Sequence, residues 1–276
     1  MKDRLSTLML ILVLLVGLSL LLYPTFSDYW NSMHQTRAIA TYSDQVASID
    51  TEKYQQLWNQ AVEYNQWLIT RENPYLVTEE HRQRYQNQLD LNGTGIMGYI
   101  EIPAIDVTIP IYHGTEEKVL QTAVGHLEWT SLPTGGESTH CVLSGHRGLP
   151  SAKLFTDLDQ VVEGDLFMLQ ILEETLTYQV DQILIVEPSV TEDLLVVEGK
   201  DYCTLVTCTP YGVNSHRMLV RGKRVENQPE AVVVRVTADA MQIDPLVVAA
   251  VVSVPLLLIL VLYVSISDSI RRRKRR

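Results

Sequence analysis

The chain has 276 residues, 46% hydrophobic and 20% charged, with 22 Lys and Arg against 33 Asp and Glu and a formal net charge of −11. That length holds one or two domains, and the acidic balance argues against nucleic acid or anionic lipid as a partner. Three cysteines cannot all pair within one chain; with no C-x-x-C and no closely spaced histidine pair, no metal site is expected, and no cofactor.

The first predicted element is an apolar run, residues 8–23 (LMLILVLLVGLSLLLY), behind Lys2 and Arg4. A second, residues 245–264 (PLVVAAVVSVPLLLILVLYV), is followed by the basic tail RRRKRR. Each approaches the roughly 20 residues a helix needs to cross a bilayer, the first by borrowing flanking residues. No small-x-small cleavage site follows the first run, so it reads as an uncleaved anchor. Positive charge at both chain ends puts both termini in the cytoplasm and residues 24–244 outside the cell membrane. Of the charged residues, 31 acids and 14 bases lie in that exported part, a net −17 with His neutral.

From Ser32 to Ile69 apolar residues recur at three- and four-residue intervals, the period of an amphipathic helix, broken near Asp50-Thr51, where Asp50 caps a second helix. The polar stretch Thr70 to Asn92, with Asn73-Pro74-Tyr75 inside it, reads as a linker or a lid. From Gly98 the pattern changes to short β runs between turn signals: YIEI, VTIPIY, HCVLSG, DLFMLQIL and LTYQVDQILIV. Such a series indicates a barrel or sandwich of ordinary single-domain size.

Two segments are placed for chemistry. In TLVTCTPYGVNSHRMLVRG, strand-like residues end at Cys208, turn formers follow, and an apolar strand resumes beyond Arg217. Folded as a hairpin, it brings a thiol and a permanent cation to one open end of a sheet, where a cysteine becomes reactive. Taken alone, Cys208 reads first as a buried structural residue and Arg217 as a surface charge. In CVLSGHRG a strand runs into His146 between two glycines, leaving the imidazole at the rim. Alone it is a loop histidine; His126 and His216 compete with it. Together, Cys208, His146 and Arg217 supply a nucleophile, an acid/base and a cation for a developing oxyanion. Spacing does not establish that they meet.

These motifs resemble the sortases, over YIEIPAIDVTIPIYHGT, VGHLEWTSLPTGGESTHCVLSGHRGLPSAKLFTDL and TLVTCTPYGVNSHRMLVRG. The helical N-terminal layer and second anchor are similar to class C, the pilin polymerases of Gram-positive bacteria. The resemblance implies a mainly β fold: an eight-stranded sortase barrel with an N-terminal helical layer and lid, flanked by two transmembrane helices. The expected layout is a cytoplasmic N-terminus (1–7), anchor (8–23), helical region with lid (24–92), catalytic barrel (93–226), linker (227–244), second span (245–264) and basic cytoplasmic tail (265–276). It implies a transpeptidase in which Cys208 attacks the Thr-Gly bond of an LPxTG-like signal. His146 protonates the leaving amine, Arg217 stabilises the oxyanion, and a lysine of the next pilin resolves the thioester. Pilin subunits and the membrane are then the partners. Class C lids carry Asp-Pro-aromatic; Asn73, Pro74 and Tyr75 match, with Asn in place of Asp. The lid's bond to Arg217 is therefore expected to lose its charge and weaken.

The same resemblance places the strands of Cys141 and Cys203 side by side, since each lies five residues before His146 or Cys208. A reduced, buried pair is expected rather than a disulfide, which is strained across adjacent strands. Other functional classes stay open. The tail resembles that of a wall-anchored surface protein, but no LPxTG precedes it, and Leu132-Pro133-Thr134-Gly135 lacks the intervening residue. A thiol hydrolase would use the same triad, and an inactive assembly platform would have no need of it.

Overall fold

The computed structural model of the chain describes residues 2–91 and 93–227. The expected second span at 245–264 and the tail at 265–276 lie outside the described residues. Residues Trp30–Pro229 form one compact unit, and Met1–Tyr29 falls in another.

Helix α1 covers Lys2–Ser48 and carries Pro24 inside it, so the expected boundary between anchor and helical region at residue 24 is not a helix boundary. A helix tolerates proline when neighbouring turns supply the bonds it cannot make. Among the described residues this is the one helix long and apolar enough to cross a membrane, with a mean hydropathy of 2.4 in its most apolar window. Helix α2 (Thr51–Leu68) starts where expected: Asp50 accepts a hydrogen bond from the Lys53 amide at 2.7 Å, satisfying an orphan N–H of the first turn. The polar stretch after α2 is not a plain linker. Thr78 caps a third helix, α3 (Glu79–Gln86), whose His81 and Tyr85 are buried. Those two polar-tipped rings, four residues apart, face inward: Tyr64 OH lies 2.6 Å from His81 Nε2, and Tyr85 OH 2.9 Å from His126 Nδ1.

Eight strands follow: β1 (Ile96–Ile102), β2 (Val107–His113), β3 (Val124–His126), β4 (Thr139–Ser144), β5 (Leu166–Ile171), β6 (Glu174–Val186), β7 (Asp201–Thr209) and β8 (His216–Arg224). A one-turn helix, α4 (Glu117–Leu120), joins β2 to β3. The sheet closes in the order β1-β2-β3-β4-β7-β8-β6-β5. Pairs β2·β3 and β4·β7 are parallel and the rest antiparallel. Closure leaves no strand edge to template aggregation. Strand β3 was not anticipated: three buried residues are too few to show alternation.

The helices are tied to the barrel by buried polar atoms as well as by packing. Tyr42 of α1 is 1% exposed; its hydroxyl donates to Met97 O (2.9 Å) and accepts from the Leu172 amide (2.7 Å), bridging β1 to the end of β5. On α2, buried Asn65 accepts from the Leu132 amide (2.7 Å) and donates to Leu132 O and Thr134 Oγ1. Buried polar groups are costly to leave unpaired, so these three bonds of Asn65 set the path of the loop from β3 to β4.

Candidate active site

The hairpin places the thiol and the cation directly. Cys208 on β7 pairs with Arg217 on β8 in the antiparallel ladder, and cross-strand partners project from the same face. His146 arrives by a different route. Strand β4 runs parallel to β7 with Ser144 opposite Val206. The Gly145 amide donates to Val206 O at 3.0 Å and Thr207 Oγ1 donates to Gly145 O at 2.8 Å, so the two chains stay in register through Gly145, and one further step of that register brings His146 level with Cys208. His146, Cys208 and Arg217 thus form a row across three neighbouring strands, extended by Val186, the β6 partner of Arg217. All three lie at the rim, partly exposed.

The loop carrying His146 is clamped on both sides. A Cβ on Gly145 would come within 2.6 Å of the Phe155 ring. Gly148 has φ +74°, and a Cβ there would meet Tyr211 at 2.7 Å. Only glycine takes both that backbone region and that close approach without cost. Tyr211 belongs to the hairpin turn after Cys208, so the imidazole loop packs on the cysteine's own turn. Arg147, over the Tyr211 ring, pairs with Asp159. On the free side of the loop, Glu117 Oε2 lies 3.6 Å from His146 Nε2. Arg217 donates to Asn214 O (3.3 Å) and His216 O (3.1 Å), which holds its guanidinium at the turn.

Below the row the same outer face becomes apolar. Leu184, Leu219 and Val206 form the next row, with Val142 behind them. Leu194, from the segment between β6 and β7, and Leu127 and Trp129, from the β3–β4 loop, pack against these residues. His140 fixes the cover: its Nδ1–H donates to Leu195 O (2.8 Å), and Nε2 accepts from Thr204 Oγ1 (2.7 Å). A carbonyl at one nitrogen settles the tautomer at the other. A cavity of about 480 Å³ opens here, lined by Arg71, Pro74, Trp129, His140 and Leu195 among others. A larger one, about 850 Å³, runs between α3 and α4 and includes none of the three row residues.

The Asn73-Pro74-Tyr75 stretch meets this face at Trp129. The Tyr75 ring packs edge-on to it with centroids 5.1 Å apart, while remaining 42% exposed. Asn73 Oδ1 accepts from the Tyr75 amide at 3.0 Å, an Asx turn. Arg71 donates to Pro74 O and Leu76 O. Among the described residues Asn73 makes no bond to Arg217; the expected weakened pair is replaced by an internal turn. The lid stretch is held instead through Arg71 and an aromatic contact. Trp129 and Glu117 were missed in the sequence. The only signal for Trp129 was an aromatic residue standing alone in a polar loop, and Glu117 was one acid of an adjacent pair.

The competing histidines are occupied elsewhere. His126 is buried, with Nε2 donating to Ser131 O at 2.8 Å, and His216 lies beyond Arg217 against Ser215. Cys141 and Cys203 face one another across β4 and β7, both free and buried. Burial and the neighbouring Cys141 push the Cys203 thiol well above its usual range.

A protein-family model described as the sortase domain matches residues 100–225. The crystal structure of sortase C1 from Streptococcus agalactiae is 56% identical, with a TM-score of 0.68, covering 70% of this chain and all of that one. Sortase C from Streptococcus pneumoniae, whose structure is described as bearing on catalysis and pilin substrate specificity, is 45% identical with a TM-score of 0.63, covering 69% and 97%. Sortase D of Bacillus subtilis is 31% identical over 131 residues, 46% of this chain, and the chain spans 63% of that protein.

Proposed function

Because this chain belongs to the sortase family, we propose that it is a membrane-anchored cysteine transpeptidase that polymerises pilin subunits. One observation carries the reading: Cys208 and Arg217 are cross-strand partners, and the register of β4 with β7, extended past Ser144 by the Gly145 bonds, leads to His146 at the same level. Support for the class comes from the sortase C neighbours, one of which acts on pilins.

In the proposed reaction the Cys208 thiolate attacks the threonine carbonyl of an LPxTG-like signal. Negative charge builds on the carbonyl oxygen, and Arg217 faces it from the next strand, where a fixed cation lowers the barrier most. Collapse breaks the Thr-Gly bond as His146 gives its proton to the glycine amine, leaving a thioester on Cys208. A pilin lysine amine then attacks the thioester; neutral His146 accepts its proton, and Cys208 leaves as thiolate. The apolar residues Leu184, Leu219 and Val206 suit the Leu-Pro portion of the signal. Tyr75, resting on Trp129, lies over that face, which supports Asn73-Pro74-Tyr75 as a lid on the signal's path. Helix α1 supplies the anchor, with the barrel outside the membrane.

The test is intact-mass spectrometry of the detergent-solubilised chain with an LPxTG-type peptide, with and without a pilin-derived lysine peptide. A Cys208-dependent acyl adduct that converts to cross-linked peptide is the expected result. An adduct that decays only to free acid, whatever lysine acceptor is offered, sinks the transpeptidase reading in favour of hydrolysis.

A further inference from the structure

The strand order works as a ruler across the outer face. Cys208 on β7 has β8 and β6 on one side, where Leu219 and Leu184 continue the apolar face, and β4, β3 and β2 on the other. The larger cavity, about 850 Å³, lies on that second side, bounded by α3 and α4 and by the ends of β2 and β3. Its size falls within the roughly 300–1,000 Å³ of pockets that bury a ligand. The lining is unlike the apolar face: Arg82 and Lys118 stand among Asp90, Glu116 and Glu128, charges of both signs. Arg82 Nη2 lies 3.5 Å from Glu128 Oε1, which ties α3 to the β3–β4 loop, and Lys118 Nζ lies 2.7 Å from Glu116 Oε2.

A ridge parts the two sides. Trp129 lines both this groove and the cavity on the apolar side. Leu127, also in the groove wall, packs against the cluster of Val142, Val206 and Leu219. At the opposite wall the groove approaches the row through α4, which puts Lys118 and Val119 in the groove and Glu117 Oε2 3.6 Å from His146 Nε2.

We propose that this groove binds the acceptor, an extended polar peptide segment whose lysine crosses the Leu127 and Trp129 ridge to the thioester. The inference rests on the transpeptidase reading and adds the place of its second substrate. In that reading the leaving amine takes its proton from His146. An incoming amine retraces that path in reverse, so it must arrive on the His146 side of Cys208. That is the side of β4 and β3, where the groove lies. Strand β3 stands two strand spacings from β7, about 10 Å. A lysine's flexible four-carbon stem spans more than half of that, with its methylenes on the apolar ridge. The amine nitrogen then bonds to the thioester carbon, the C–S bond breaks, the amine proton passes to His146, and Cys208 leaves as thiolate. With the ridge between them, the second chain enters while the first is still covalently held on the apolar side.

The test fills the groove from two walls, with Gln86→Trp at the end of α3 and Thr115→Trp on the turn before α4. The full-length chain in detergent micelles is first converted to its Cys208 thioester with an LPxTG-type peptide. The thioester is then split, in separate runs, with a pilin-derived lysine peptide and with hydroxylamine, a nucleophile too small to need a groove. The readout is the ratio of the two rates. Each substitution should lower that ratio about tenfold, the scale of losing one well-packed contact. A ratio within about twofold of the parent in both variants overturns the proposal. A second measurement needs no chemistry: the anisotropy of the labelled lysine peptide on the Cys208→Ala chain. Binding weakened about tenfold by Gln86→Trp upholds the groove; binding that is absent, or unaffected by both substitutions, overturns it. Failure to form the thioester would count against the transpeptidase reading instead, and the binding measurement would still decide the groove.

Discussion

Strand β7 carries a cysteine on each of its faces and β4 one on its inner face, and the two faces are different chemical compartments. Inside the barrel, Cys141 and Cys203 oppose one another at 2% and 0% exposure, among Leu205, Leu143 and Tyr178. Outside, five residues along β7, Cys208 sits partly exposed opposite Arg217. Five is odd, so the pleat sends the two side chains of one strand to opposite faces. Exposure here is decided by parity along a strand; the residue type is the same.

The largest test of that contrast removes the outer thiol. Cys208→Ala should abolish the acyl adduct while leaving the thermal transition in place, whereas Cys141→Ala and Cys203→Ala should retain the adduct; an adduct on the Cys208→Ala chain would refute the assignment. Arg217→Ala should cost about 10²–10³ in the rate of thioester formation, the range seen when one oxyanion-stabilising donor is lost. Followed by rapid-quench mass spectrometry, a loss under threefold would mean that Arg217 serves the turn alone. Gly148→Ala forces a side chain into the left-handed region and against Tyr211, costing about 1 kcal/mol or more of stability. It should also lower activity by displacing the His146 loop; unchanged activity would show that the clamp is dispensable.

Smaller effects separate cover from site. Tyr75→Ala should speed alkylation of Cys208 a few-fold, and Trp129→Ala should do the same, with no further gain in the double variant if the rings act as one latch. Additive gains would mean two independent effects. For the inner compartment the signal is in pH. The Cys203 thiol, pushed well up by burial, stays protonated in the fold while an unfolded thiol ionises near its ordinary value. A raised folded value contributes stability that is lost as pH rises, so the melting temperature should fall above about pH 9. Cys203→Ala should flatten that slope at a cost of about 1 kcal/mol for the lost packing. A slope unchanged by the substitution would place its origin elsewhere.

Much of this was legible in the chain. Asp50 as a helix cap, seven of the eight strands and the hairpin could be read because each depends on neighbours a few residues away. The interior of the 70–92 stretch could not. Tyr85 and Leu89 become core only because β2, β3 and α2 present a surface for them, and eight residues rich in Glu, Gln and Arg carry too little apolar pattern to show it. The Asn73 lid followed the same rule: the local Asx turn is inherent in Asn-Pro-Tyr, while its resting place on Trp129 is a tertiary choice.

The sequence by itself determined that Cys208 and Arg217 share a hairpin, because a short turn fixes antiparallel register locally. It also determined the odd spacing that separates the inner from the outer cysteine. Only the tertiary structure decided that the His146 loop packs on the hairpin of Cys208 and Arg217. Parallel pairing of β4 with β7 joins segments some sixty residues apart through a crossover, and no local rule sets that register. Packing of the barrel and its helices does.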